Sequence, residues 1–299
     1  MKRNYPVGIQ NFEEIRKGNY LYIDKTALIY RLVESGKYYF LSRPRRFGKS
    51  LLISTLEAYF QGRKELFEGL AMETLETEWT EYPILHLDLN TKKYENHSSL
   101  NEILNQHLEK WEAVYGDEKK ERSPEERFSY MIEKISTVTG RNVVILIDEY
   151  DKPMLQAIGN EALLTDYRNT LKAFYGVMKS CDRYIKFALL TGVTKFSKVS
   201  VFSDLNNLMD ISMSNRFANL CGITEEELYS NFQEDIIELG RQNKLTEEET
   251  KAALKEMYDG YHFTEESEDI YNPFSLLNTF AEMRFGSYWF ETGTPTFLV

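Results

Sequence analysis

Apolar residues fall along the chain in two kinds of run, short unbroken blocks and longer stretches at helical spacing, and the two alternate. The blocks predict five strands, at Tyr38 to Leu41, Ile84 to Leu89, Val143 to Ile147, Ile185 to Leu190 and, more weakly, Leu208 to Ile211. Val143 to Ile147 holds no polar position, the pattern of a strand covered on both faces. With helices between the blocks, the order predicts an α/β fold around a five-stranded, mostly parallel sheet. One helix start reads directly. Ser123-Pro124-Glu125-Glu126 joins a hydroxyl cap, a proline at the first helical position and the acid of a capping box, so Ser123 to about Thr137 is helical.

After Gly222 the alternation stops and only helical patterns follow. Thr224-Glu225-Glu226-Glu227 and Thr246-Glu247-Glu248-Glu249 are capping boxes ahead of amphipathic stretches, and Asn272-Pro273 opens a third. The change predicts a core over residues 1–222 and a small helical unit over residues 223–299. That unit is either a lid over a bound ligand or an extension that finishes the core.

The chemistry concentrates where strands end. SRPRRFGKS, Ser42 to Ser50, follows the first block and precedes helical spacing at Leu51, Leu52, Thr55, Leu56 and Tyr59. A tight turn entering a helix N-terminus presents backbone N–H groups and partial positive charge to an anion. Gly48, Lys49 and Ser50 supply the second half of the Walker A pattern G-x-x-x-x-G-K-[ST]. There the lysine reaches the β- and γ-phosphates and the hydroxyl ligates Mg²⁺. Arg43 stands where the first glycine belongs, and Pro44 restricts φ, so a stiff loop is expected. Arg45, Arg46, Phe47 and Leu51 complete the candidate nucleotide-binding set. A basic surface turn containing a chance GKS is the alternative.

A phosphate loop calls for a second element, an apolar strand ending in acids, as in Walker B. Asp148 and Glu149 follow Ile147 directly. Asp148 is the candidate metal-side carboxylate, and Glu149 the candidate base that orients water. Asp151 adds a third acid at the same mouth. Alone, such acids often only form a turn and a helix cap. The candidate strands beyond the loop and acid strands suit ATPases with a strand inserted between those two. Thr191 then stands beside the γ-phosphate or the water, with Thr194 close behind. Asp88, after the second strand, reads as a turn former, with a switch or water-positioning acid as the alternative.

Composition narrows the picture. The 299 residues are 42% apolar, enough for one large α/β domain or two smaller ones. No run approaches the roughly 18 apolar residues of a membrane span. MKRNYPVGIQ lacks the apolar segment of a secretory signal, so a cytoplasmic protein with no membrane contact is expected. Cys181 and Cys221 show no metal or redox spacing and are expected to stay reduced. The net charge is −11, yet residues 1–64 carry 13 Lys and Arg against five Asp and Glu. A basic phosphate-loop end favours a polyanionic ligand, whereas the acidic remainder argues against a broad nucleic-acid surface. The 20 Tyr, 18 Phe and three Trp lie mostly on apolar periodicities and read as core.

YPVGIQNFEEIRKGNYLYIDKT, SRPRRFGKS, YPILHLDL, VVILIDEYDKP, LTGVTKFSKVSVFSDLNNLMDIS, MYDGYHF and YNPFSLLN occur in this order. Together they resemble the bacterial AAA-ATPase-like family of P-loop ATPases. Arg43 is ordinary in that family. The resemblance implies a P-loop NTPase core of the additional-strand type that uses ATP and Mg²⁺. It carries phosphate and metal binding onto Gly48, Lys49 and Ser50, the metal-side acid onto Asp148 and the base onto Glu149. It also implies adenine contacts from Pro6 to Phe12 with Tyr22, Asp24 and Lys25. Val7, Gly8 and Ile9 are the candidate base contacts, with packing of an N-terminal arm as the alternative.

Lys195, Lys198 and Arg216 are candidates for a positive group at the transition state, in cis or from a neighbour. None of the three has a motif that selects it, so a protein partner or homo-oligomer stays open. Asp259 and His262 are placed at a lid interface, or His262 as a packed structural residue. Many members of the family continue into a PD-(D/E)XK nuclease-like domain, through which alone nucleic acid is expected to enter. The chain is accordingly expected to be part of a longer protein or an ATPase-only form. Three functions stay open: ATP hydrolysis that drives a lid or partner, a nucleotide-gated switch, and phosphoryl transfer to a small molecule.

Overall fold

A computed structural model describes residues 4–195, 201–203, 205 and 207–289. Five strands, β1 Tyr38–Ser42, β2 Ile84–Asp88, β3 Val143–Asp148, β4 Ile185–Gly192 and β5 Met209–Asp210, form one sheet in the order β2-β3-β4-β1-β5. Every pairing is parallel. The α-helices before β4 are α1 Phe12–Lys17, α2 Thr26–Ser35, α3 Lys49–Phe60, α4 Ala71–Leu75, α5 Ser98–Tyr115, α6 Pro124–Thr139, α7 Lys152–Gln156 and α8 Glu161–Ser180. After β5 come α9 Glu225–Asn243, α10 Glu247–Tyr258 and α11 Pro273–Glu282. The fold is the P-loop NTPase core that the pattern predicts, with β4 inserted between the loop strand β1 and the acid strand β3.

The period of two divides the inner strands between two cores. Val143, Ile145 and Ile147 point into the layer built with α5, α6 and α8, where Leu104, Phe128, Ile132 and Phe174 pack. Val144 and Leu146 point to the opposite layer with Ile29, Leu52, Leu56 and Phe60 from α2 and α3. Both faces of β3 are covered, which is why its sequence shows no polar alternation. Ser123 caps α6 with the predicted capping box, and the helix runs to Thr139, ending on Gly140 at φ +66°.

Thr224 and Thr246 form the predicted capping boxes of α9 and α10, and Asn272 caps α11 by accepting from Ser275 N–H. Leu228, Phe232, Ile236, Leu254, Tyr271 and Phe280 give these helices a buried cluster of their own. Helices alone do not make up this part. Single antiparallel bridges join Ile223 to Tyr271 and Tyr261 to Ile270. A bridge of one residue pair has no periodicity to show in sequence.

The chain's beginning returns to its end. Tyr5 lies near Phe232 and Phe280 and donates its hydroxyl to Asp235 at 2.5 Å, while Lys25 pairs with Glu227 at 2.6 Å. Among the described residues, no helix is long and apolar enough to cross a membrane.

Candidate nucleotide site

The segment after β1 turns through two left-handed residues, Arg46 at φ +67° and Gly48 at φ +94°, and enters α3 at Lys49. Gly48 is the N-cap, and a Cβ there would meet nothing within 4 Å, so the conformation rather than space calls for glycine. The Lys49 ammonium is buried and donates to the carbonyls of Arg43 (3.0 Å) and Pro44 (3.1 Å). Burial draws its pKa down, against the upward pull of Glu149 and Asp148. Loop carbonyls thus hold the ammonium beneath the turn.

Arg43 explains the missing first glycine. Its side chain turns away from the cleft and is 1% exposed. The guanidinium donates to the carbonyls of Ser42 (2.9 Å), Ser212 (2.8 Å) and Ala218 (3.2 Å) and lies 3.9 Å over the Phe263 ring. Phe47 is buried too, packed edge-on against Tyr261 at 4.5 Å and Phe263 at 5.7 Å. Its ring faces away from the larger cleft and lines the smaller apolar hollow beside it. Arg46 is exposed and stands 4.8 Å from the Phe274 ring, and the Arg45 carbonyl accepts from the Trp289 indole at 3.0 Å.

The acids meet this loop where β3 and β4 end. Ser50 donates to Asp148 Oδ2 at 2.6 Å, and Thr191 donates to Asp148 Oδ1 at 2.5 Å. Both carboxylate oxygens are therefore engaged, one from the loop helix and one from the inserted strand. Glu149 follows at φ +53°, a left-handed conformation that costs a non-glycine residue about 1–3 kcal/mol and turns its side chain to the cleft. Burial raises its pKa, opposed by Lys49 and Lys152. Lys152 lies 3.9 Å from the Glu149 carboxylate and donates to Asn90 Oδ1 at 2.8 Å.

Gly8, Ile9, Arg45, Arg46, Lys49, Ser50, Leu51, Glu149 and Lys152 are among the residues around a cleft of about 440 Å³. Pro273, Phe274 and Leu277 of α11 close one side. A smaller apolar hollow of about 110 Å³ adjoins it, lined by Pro6, Leu21, Ile23, Leu51, Ile223 and Leu277 among others. The N-terminal arm reaches both spaces through a turn. Ile9 N–H donates to the Pro6 carbonyl (3.2 Å), with Gly8 at φ +79° in the position where only glycine is relaxed. Val7 lines neither space, whereas Pro6 lines both.

Several sequence candidates have other partners. Asp24 accepts from Thr26 N–H (2.8 Å) and Ala71 N–H (2.7 Å), tying the starts of α2 and α4 together. Asp88 forms the expected turn by accepting from Asn90 N–H at 2.8 Å. Lys195 pairs with Asp210 at 3.2 Å, Arg216 is exposed beside Phe217, and Lys198 lies outside the described residues. His262 is exposed rather than packed, and pairs with Asp269 at 2.9 Å. Asp259 accepts from Gly260 N–H at 2.7 Å.

Sequence reasoning missed Asn90, Lys152 and the α11 residues Phe274 and Leu277. Lys152 stands at helical spacing from Glu149, which is a visible signal. Asn90 and α11 become neighbours of the loop only through folding.

This sheet order, with a loop–helix turn at β1, acids at β3 and a threonine ending the strand between them, defines a P-loop NTPase core. The chain belongs to the family described as Predicted AAA-ATPase, which matches residues 6–202, and is thereby an ATPase-like nucleotide-binding protein. It is 40% identical over 300 residues to an uncharacterized protein of the vnfD 5′ region of Azotobacter chroococcum mcd 1, covering 100% of this chain and 56% of that relative. The chain thus spans little more than half of that relative's length. The Aeropyrum pernix ORC2 protein, solved as ADPNP–ADP complexes, aligns over 78% of this chain and 60% of its own, at 11% identity and TM-score 0.37.

Proposed function

We propose that this chain is an ATP-binding, Mg²⁺-dependent ATPase whose turnover drives movement of the α9–α11 unit, acting as a lid, or of a partner. The observation that carries the reading is the Asp148 carboxylate held by Ser50 at 2.6 Å and by Thr191 at 2.5 Å. A hydroxyl and a carboxylate converging at a phosphate loop are hard oxygen donors, which is what Mg²⁺ takes when substrate phosphates complete its shell. Ser50 and Asp148 would hold the ion, which supplies charge compensation on the phosphate oxygens. Lys49 and the N–H groups of Arg46, Phe47 and Gly48 bind the phosphates. Glu149 orients the attacking water, and Thr191 keeps Asp148 in place. The apolar hollow beside Leu51 and Ile23 takes the base, with Pro6 on its wall, Gly8 and Ile9 on the wall of the adjoining cleft and Val7 outside both.

The lid assignment rests on α11 and Trp289, which touch the phosphate loop itself at Arg46 and Arg45. A nucleotide that reshapes the loop changes these contacts directly. A second reading, a nucleotide-gated switch with negligible turnover, is favoured by Lys152. Anchored by Asn90, it lies 3.9 Å from the Glu149 carboxylate and can keep it from water.

Phosphate release from ATP and GTP, with and without Mg²⁺, separates the readings. Hydrolysis predicts ATP turnover that falls about 100-fold in Glu149→Gln with binding kept. Lys49→Ala weakens binding about tenfold or more. Tight ATP binding without turnover in the parent supports the switch.

A further inference from the structure

Asp151 is 1% exposed and its carboxylate is not turned to the cleft. It is the N-cap residue of α7, where an aspartate ordinarily accepts from its own helix, yet its side chain makes no such bond. It accepts instead from Val193 N–H (3.1 Å), Thr194 N–H (2.7 Å) and the Thr194 hydroxyl (2.8 Å). These donors belong to the turn that leaves β4 after Gly192, the residue following Thr191.

Tyr150 grips the same turn. Its N–H donates to the Thr191 carbonyl at 2.9 Å and its hydroxyl to the Thr194 carbonyl at 2.9 Å. The ring lies so close to Gly192 that a Cβ there would stand 2.4 Å from a ring carbon and 2.8 Å from Asp151 Oδ1. From the other side, Arg43 N–H donates to the Gly192 carbonyl (3.1 Å) and the Ser42 hydroxyl to the Val193 carbonyl (3.1 Å). Residues 191–194 are thus clamped between the phosphate loop and the segment that carries Asp148 and Glu149.

We infer that Asp151 is a positioning residue which, through the turn at Val193 and Thr194, holds the Thr191 hydroxyl on Asp148 and so governs turnover rather than nucleotide affinity. The reason is geometric. Asp151 touches neither the loop N–H groups nor the cleft, so its loss leaves phosphate binding in place. The Thr191 hydroxyl can bond Asp148 only while the end of β4 keeps its register against β3. Burial raises the pKa of Asp151, and the hydrogen bonds from Thr194 and Val193 oppose that rise. The inference rests on the ATPase reading above.

The test compares the parent with Asp151→Asn and the milder Thr194→Val, in three measurements. These are affinity for a fluorescent ATP analogue, steady-state ATP hydrolysis, and amide hydrogen exchange over residues 191–195 with ATPγS or ADP bound. In a hydrolysing parent, Asp151→Asn is expected to lower kcat about 10–100-fold, with Kd within about twofold. Thr194→Val, if Asp151→Asn does not fold, is expected to show the same split at smaller size. Unchanged kcat in a folded variant, or loss of affinity matching the loss of kcat, overturns the inference and leaves the ATPase reading standing. If the parent binds ATP without hydrolysing it, the ATPase reading falls and exchange decides. A difference between ATPγS and ADP at residues 191–195 that disappears in the variants supports the clamp, and one that is absent from the parent or persists in the variants overturns it.

Discussion

Ser50 and Asp148, 98 residues apart in the chain, meet at 2.6 Å because α3 starts beneath the end of β3. Their pairing sets what removal of either group does. Ser50→Ala leaves the Lys49 ammonium and the loop N–H groups in place, so metal-free nucleotide binding is expected to persist. The gain in affinity on adding Mg²⁺ is expected to fall about tenfold, corresponding to about 1.4 kcal/mol. Titration of a fluorescent nucleotide with and without Mg²⁺ checks this, and an unchanged metal dependence removes Ser50 from the metal site.

Restoring the glycine of the general loop pattern is expected to harm this protein. Arg43→Gly removes the donors of the Ser212 and Ala218 carbonyls and the cation over Phe263. Hydrogen bonds from a charged group contribute about 1.5–3 kcal/mol each, so a loss of about 3 kcal/mol is expected in urea unfolding. A variant as stable as the parent would show that the buried guanidinium is dispensable.

The N-terminal arm joins the α9–α11 cluster to the cleft. Tyr5→Ala removes the hydroxyl that donates to Asp235 and the ring beside Phe232 and Phe280. Nucleotide affinity is expected to fall several-fold, because Pro6, Gly8 and Ile9 follow Tyr5 into the cleft wall. Tyr5→Phe keeps the ring and is expected to lie between the two. Equal affinity in all three proteins would separate the arm from binding.

Stability should carry one acid-dependent contribution from the base of β1. Asp182 accepts from the Lys37 ammonium at 2.8 Å and the Tyr38 hydroxyl at 2.8 Å, and these two donors hold its carboxyl below the ordinary range. A carboxylate depressed in the folded state adds stability above its unfolded pKa, about 3.9 for aspartate, and loses it as pH falls through the lower folded value. The stability gap between the parent and Asp182→Asn is therefore expected to be full at pH 7 and to shrink below about pH 4. Urea midpoints at both pH values measure it, and a gap that widens in acid contradicts the assignment.

The chain's own pattern determined the strands, the phosphate loop and the helix starts, because each is written in neighbouring residues. An unbroken apolar run means a strand covered twice, a hydroxyl three residues before a glutamate means a cap, and GKS after a strand means an anion site. Tertiary structure decided which groups face the cleft. Arg43 and Phe47 sit among loop residues yet point into the interior, because Ser212, Ala218, Tyr261 and Phe263 offer them partners from more than 150 residues away. Asp151 sits with the acids at the mouth yet serves the turn after β4, because parallel pairing brings that turn against it. Asn90 and Phe274 reach the cleft only once the sheet is ordered and α11 has docked. Local pattern is set by the backbone's short periods, whereas the direction of a side chain is settled by partners that only the folded sheet supplies.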